Sequence, residues 1–397
     1  MNILLISRCP PWPLHLGDRL IVYHVFSELA RRGHTVDLLA FTNRPEDSTE
    51  QTHYAGLFRH VELIPEPPRR PLDFARRLLL PRVRFPRQAS AAWSPRMWQA
   101  IEQRLDAESY DLVHLFGGIH VYEFFHALRG LPTVITPYES YSLYLRRAIE
   151  QATGSRDAVS LTAQRQVAAA YERFMFAPYG RTVVVSERDR DELLALNASL
   201  RIDVIPNGVD LAQFQWSHQS RLTATLLFTG NYEYAPNVDA ARRLATAILP
   251  LVRARVPDGK LWLVGNAPPP EIRALASDAV EVTGHVPDVK PYLQQATAFV
   301  SPLRLGAGIK NKVLEALALG CPLVATPLSV DGINVTSGHD VLLADTDADL
   351  ADAIVRLLQD RVLQVNLSSR GRRLIESEYS WSRVAALYEA LYIEVAS

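Results

Sequence analysis

Cysteine is almost absent from this chain: Cys9 and Cys321 stand alone, far apart in the sequence. They cannot form a disulfide framework or a thiolate metal site, and a reducing, cytoplasmic setting is expected. Net charge is nearly absent too, at -1 over 397 residues, so no overall field draws the chain to nucleic acid. No apolar run reaches the roughly 18 residues that span a bilayer. The opening Met1-Asn2-Ile3-Leu4-Leu5-Ile6-Ser7 has no positive leader and no small-residue cleavage site, and is expected to be a buried strand rather than a signal peptide. No Gly-x-Gly-x-x-Gly follows it, which weighs against a dinucleotide site of the dehydrogenase kind. A convincing Asp-x-Asp metal motif is missing as well. The run Asp345-Thr346-Asp347-Ala348-Asp349 stands before a helical segment and reads as a cap with first-turn acids.

What is present is an ordinary globular composition, 48% hydrophobic and 21% charged, over a length that exceeds one core. Short apolar runs alternate with helical periodicity. In the first half, the opening strand leads through Pro10 to Arg19 into a helix with Ile21, Val22, Val25, Phe26 and Leu29 at helical spacing, ended by Gly33. Strands are expected at 36–41, 111–116, 133–136 and 182–186, with a long helical region over 142–178. Gly17 and Asp18 fall at a strand end, where doubly wound sheets bind ligands. They could also simply shape the loop and cap the helix. His120, in the loop after the strand ending at Phe116, is either structural or functional.

Between Pro65 and Trp98, Arg69, Arg70, Arg76, Arg77, Arg82, Arg84 and Arg87 alternate with Leu72, Phe74, Leu78, Leu79, Leu80, Val83 and Phe85. That mixture suits the surface of an anionic membrane, or a packed helix with solvated arginines. The abrupt Pro206-Asn207-Gly208 turn and the polar run around Ser217 to Ser220 mark a boundary. The pattern then restarts, with strands ending in Gly230, Gly265 and Gly284, where glycine keeps side chains away from a cleft floor. The expected organisation is a first domain over 1–205, a linker over 206–220, a second domain over 221–375 and a C-terminal helix over 376–397. That helix carries Val384, Leu387, Tyr388, Leu391 and Tyr392 on one face and is expected to pack across a domain surface. Fold class follows: α/β, two Rossmann-like doubly wound domains facing each other.

The most informative stretch is Arg304 to Gly320. A strand at 298–300 runs into a turn with Gly306 and Gly308, then a helix whose first turn carries Lys310 and Lys312. Close backbone approach, unpaired helix amides and adjacent cations make such a junction fit to hold an anion. Glu315, three residues after Lys312, shares its face and could meet hydroxyls beside a phosphate.

Leu227-Phe228-Thr229-Gly230, Pro236-Asn237-Val238-Asp239, Val282 to Val289, Gly308 to Ala316 and Pro322 to Thr326 together resemble the donor domain of glycosyltransferase family 4. The Pro11 to Arg19 loop and the Val204 to Asp210 linker are similar to a bacterial subgroup associated with exopolysaccharide assembly. The resemblance implies the GT-B fold, two Rossmann-like domains around a deep cleft, and a retaining sugar transfer from a nucleotide-sugar donor without a metal. The acceptor it implies is a glycan, a lipid-linked molecule or a small-molecule hydroxyl. No other cofactor is expected, nor any nucleic acid partner; a peripheral contact with the inner membrane face is a further expectation.

On that resemblance Asp18, His120, Arg304 and Lys312 are the catalytic candidates. Gly17, Gly230, Asn231, Gly265, Gly284, Val286, Ala307, Gly308, Ile309, Lys310 and Glu315 are the donor-binding ones. Glu315 would meet the ribose, Gly284 and Val286 the base, and Gly17, Arg304 and Lys312 the diphosphate. The family usually has a glutamate where Ala307 stands, an arginine and a lysine within the span Asn231 to Asn237, and a second histidine where Phe116 stands. Two other classes remain open at this level: a sugar-nucleotide epimerase and a non-catalytic nucleotide-sugar binder.

Overall fold

A computed structural model describes residues 1–14, 17–152, 154–216 and 221–397, so the polar run at 217–220 lies outside the described residues. The chain divides into two compact units, Met1–Asn207 with Trp381–Ser397, and Gly208–Ser380.

Among its described residues the first unit holds seven strands: β1 Asn2–Ser7, β2 Thr35–Thr42, β3 His60–Pro65, β4 Leu112–Phe116, β5 Thr133–Tyr138, β6 Arg181–Val184 and β7 Ile202–Val204. They form one parallel sheet in the order β3-β2-β1-β4-β5-β6-β7. Ile3 to Ile6 are fully buried because helices cover both faces of such a sheet, which is why β1 is an unbroken apolar run. Successive side chains alternate between the faces. Ile3 and Leu5 join Val22, Phe26 and Phe116 on one side, while Leu4 and Ile6 join Trp98, Tyr122 and Phe174 on the other.

The second unit holds β8 Thr225–Thr229, β9 Lys260–Val264, β10 Val280–Gly284, β11 Ala298–Ser301, β12 Leu323–Ala325 and β13 Leu342–Leu343. Its parallel order is β10-β9-β8-β11-β12-β13. In each sheet the first strand of the unit lies between the second and a later one. β1 sits between β2 and β4, and β8 between β9 and β11. The crevice outside the strand ends at such a switch point is where open α/β sheets bind ligands.

The Trp381–Ala396 helix returns to the first unit and packs on the Gly17–Arg31 helix, β4 and β5. Val384, Tyr388, Leu391 and Tyr392 are buried as the spacing predicts, and Trp381 stacks on His24 at 5.0 Å. The helix does more than cross a surface, because these side chains are part of one of the two cores flanking the first sheet. The long helical region expected over 142–178 is two helices, Tyr141–Glu150 and Ser155–Met175. Thr346 caps the Asp347–Gln359 helix by accepting from Asp349 N at 3.1 Å, and Asp347 pairs with Arg243 at 2.6 Å, so the acid run has a structural use.

Candidate functional site

In the second unit the three strand-end glycines lie side by side. Gly230 N donates to Val264 O at 3.0 Å, and Gly265 N donates to Gly284 O at 3.2 Å. A Cβ on Gly265 would stand 1.8 Å from Gly230 O, at a φ of +151°. Glycine at 265 is therefore demanded by neighbouring backbone, where the sequence reading assigned it to ligand access. Gly284, at φ +71°, faces open space with no atom within 4 Å of a built Cβ, and the half-buried Val286 follows it. Gly230 makes room for Asn237, whose side chain would lie 2.8 Å from an added Cβ.

Beyond β11 the chain forms a loop to Lys310, anchored by hydroxyls: Ser329 Oγ donates to Ser301 O at 2.6 Å and Thr326 Oγ1 to Leu303 O at 2.7 Å. Gly306 and Gly308 take φ of +131° and +63°, which bends the loop back, and Ala307 and Ile309 are buried. Lys310 Nζ turns into this bend and donates to Ala307 O at 2.8 Å and Gly308 O at 2.5 Å. Arg304 does not join it. Its guanidinium forms a two-point ion pair with Asp239, at 2.7 and 3.1 Å.

The Asn311–Ala318 helix starts at Lys310, which offers no side-chain cap to its first amides. Lys312 Nζ donates to Asn237 Oδ1 at 2.6 Å and lies 4.4 Å over the Phe228 ring. Asn237 Nδ2 in turn donates to Asn231 O at 2.7 Å, so one amide ties the helix to the end of β8. Burial pushes the Lys312 ammonium down to about 7, with Lys310 adding to the shift and Glu315 opposing it. Burial raises the Glu315 carboxyl to about 7, against the attraction of Lys312. Paired shifts of this kind concentrate at functional sites. The structure thus brings together Gly230, Asn231, Lys312 and Glu315, with Lys310, Ala307 and Gly308 in the adjoining turn. Asn237, buried at their centre, was missed as a site residue. Its signal was its position eight residues after Thr229, at the start of a helix on the same sheet edge.

In the first unit Gly17 opens the Gly17–Arg31 helix and is exposed, while Asp18 is partly covered. The Asp18 carboxylate pairs with Arg8 at 3.0 Å, and Tyr138 OH donates to Asp18 O at 3.3 Å. Arg8 directly follows β1 and is fixed by its own N–H donating to Phe116 O at 2.8 Å. Gly117 allows that approach, since its Cβ would lie 2.5 Å from Arg8 Cβ. His120 Nδ1 is 3.2 Å from Glu66 Oε1; burial lowers its pKa and Glu66 partly restores it. Arg8, Gly118, His120, Glu139 and Tyr171 border a cavity of about 320 Å³ at the ends of β4 and β5. Glu172 forms another wall and is raised to about 7 by burial although Ser142, Ser140 and the Tyr141 N–H bond it. Arg8 and Glu172 escaped the sequence reading; Arg8 satisfied the strand-end rule that selected Gly17 and Asp18. His114, by contrast, is fully buried between Tyr392 OH at 2.5 Å and Thr136 Oγ1 at 2.8 Å, and burial lowers it to about 3. It is a neutral packing residue.

Two Rossmann-like units, each with its polar groups at the strand ends beside a switch point, define the GT-B class of fold. Sucrose-phosphate synthase from Thermosynechococcus elongatus has this fold, with a TM-score of 0.73 at 20% identity over 99% of this chain and 98% of its own. Residues 20–213 match the family described as Glycosyltransferase Family 4, and residues 223–360 match Glycosyl transferases group 1. The chain belongs to glycosyltransferase family 4. It is 30% identical over 207 residues to a phosphatidyl-myo-inositol mannosyltransferase of Mycolicibacterium smegmatis, covering 48% of this chain and 52% of that protein. It is 27% identical over 198 residues to a GDP-mannose-dependent monoacylated alpha-(1-6)-phosphatidylinositol monomannoside mannosyltransferase of Corynebacterium glutamicum, covering 45% and 52%. The chain spans about half the length of the curated relatives it matches.

Proposed function

We propose that the chain transfers a sugar from a nucleotide-sugar donor to a hydroxyl acceptor, with retention and without a metal. The observation that carries this reading is the junction of β8 with the Asn311–Ala318 helix: an ammonium held by Asn237 in the first turn of a helix whose start has no side-chain cap from Lys310. A diphosphate leaving group gains charge in the transition state, and preorganised donors aimed at it lower the barrier. Lys312 and the helix amides take that role. Lys310, lodged on its own loop carbonyls, keeps the bend in shape, and Glu315 accepts from the ribose hydroxyls. Gly284 and Val286 receive the base along open backbone. Arg304 is held by Asp239 and acts on the diphosphate only if that pair opens.

The acceptor enters the cavity of the first unit, where Arg8, His120 and Glu139 offer charge and hydrogen bonds. In this reading the reaction runs on the front face, with a donor phosphate oxygen taking the acceptor proton, rather than through a covalent intermediate on a carboxylate of the glycosidase kind. The relatives' names support a nucleotide-sugar donor and a lipid-linked acceptor. Peripheral contact with a membrane goes with such an acceptor.

The test is a thermal-shift screen against nucleotide sugars followed by turnover with the best binder, since a ligand of the folded state raises its melting point. Lys312→Ala is expected to lower kcat/KM by about 10²–10³. Unchanged kinetics would overturn the assignment, and a changed sugar nucleotide released from donor alone would point to an epimerase instead.

A further inference from the structure

The Pro71–Leu79 helix is held to the first unit by one face. Phe74 and Leu78 pack on its core, Phe74 O accepts from Tyr171 OH at 2.7 Å, and Arg77 pairs with the buried Glu123 at 2.7 Å. The other face is exposed and sets leucines beside Arg76. Leu72 and Leu79, two turns apart on one stripe, are 75% and 74% exposed, and Leu80 just beyond is 50% exposed. The arginines of this segment divide in the same way. Arg69 lies 3.6 Å over Trp93, and Arg84 lies over Phe174 while donating to Arg77 O and Leu78 O. Arg70, Arg76, Arg82 and Arg87 are exposed. Between residues 67 and 90 the chain has seven arginines and one acid, Asp73, in a protein whose net charge is -1.

We propose that Arg70, Leu72, Arg76, Leu79, Leu80 and Arg82 form a docking surface for an anionic lipid bilayer. Charge complementarity selects this occupant. Isolated leucines standing among like-charged guanidinium groups suit shallow insertion between anionic headgroups, where long-range attraction and apolar burial add. The inner face cannot let go without stripping Phe74 and Leu78 from the core, so the helix docks as a preformed element. The inference deepens the reading of a lipid-linked acceptor and rests on it for its purpose, but its measurement does not need turnover.

Full-length protein is sedimented with vesicles of phosphatidylcholine alone and of phosphatidylcholine with phosphatidylglycerol, at low and high salt. Binding is expected only with phosphatidylglycerol, and is expected to weaken as salt screens the attraction. Arg70→Glu/Arg76→Glu/Arg82→Glu and, separately, Leu72→Gln/Leu79→Gln should each weaken it by at least about tenfold. Because every changed side chain is solvent-exposed, both variants should keep the parent's melting point and its shift with nucleotide sugar. Loss of that shift in the parent would sink the transferase reading and leave the surface standing. Equal vesicle binding by the parent and the charge-reversed variant would overturn the surface. So would a dimer abolished by Leu72→Gln/Leu79→Gln without vesicle binding, since the face would then belong to a second copy.

Discussion

Lys312 and Glu315 show how much a single helical turn can hold in tension. Both are pushed by burial toward neutrality, each to about 7, and each opposes the shift of the other. A diphosphate is held by the protonated lysine and a ribose hydroxyl is best held by the ionised glutamate, so affinity should fall on both sides of a neutral optimum. The acid limb follows protonation of Glu315 as pH drops; the alkaline limb follows loss of the Lys312 proton as pH rises. The limbs belong to the coupled pair. Calorimetric titration with a nucleoside diphosphate across pH 5.5 to 9 measures this directly. Asn237→Asp places a carboxylate against Lys312 Nζ, and the alkaline limb should then move up by about one to three pH units. A structural role alone would lower affinity at every pH without moving the limb. Lys312 and Glu315 were legible from the sequence as partners on one face. Asn237 was not, because the bond that makes it matter joins residues 75 positions apart.

At the scale of elements, the strand-end glycines teach a distinction that pattern alone cannot draw. All three were visible as punctuation after apolar runs, yet they answer different demands. Gly265→Ala forces a methyl group into the Gly230 carbonyl and should cost about 3 kcal/mol or more, through both overpacking and backbone strain. Gly284→Ala meets only the left-handed backbone penalty, about 1–2 kcal/mol. Denaturant unfolding of the two variants should therefore rank them in that order, while nucleotide affinity should suffer in Gly284→Ala if the base lies there. The strands themselves were read well where they are buried on both faces. β3, a sheet-edge strand with His60 and Glu62 among its apolar residues, and β13, two residues long, gave too little periodicity to be seen. Arg304 misled for a related reason: a basic residue before a glycine turn looks ready for phosphate until its ion pair with Asp239 is known.

For the molecule as a whole, the amphipathic pattern after residue 381 announced a packed helix, but not which unit it serves. The answer depends on His114 and Tyr392, a hydrogen bond across 278 positions that no local pattern reports. Tyr392→Phe leaves the neutral His114 with a buried nitrogen unbonded and should destabilise the first unit by about 1–3 kcal/mol, with donor binding in the second unit unchanged. Separate melting of the units, one shifted by nucleotide and one by the substitution, checks this. Phe116 packs against His114 at 4.5 Å between ring centres, so the position where the family often has a second histidine is here an apolar contact.

The return of the Trp381–Ala396 helix also sets an order of events during synthesis. The first unit's sheet is finished when Val204 leaves the ribosome, but one of its cores still lacks Trp381, Val384, Tyr388, Leu391 and Tyr392. At about 5–20 residues per second, roughly 10–40 s pass before they arrive. Throughout that interval the second unit is still being made, up to Ser380, while the first waits with an apolar face uncovered, and it is the nascent chain at that stage that a chaperone would meet.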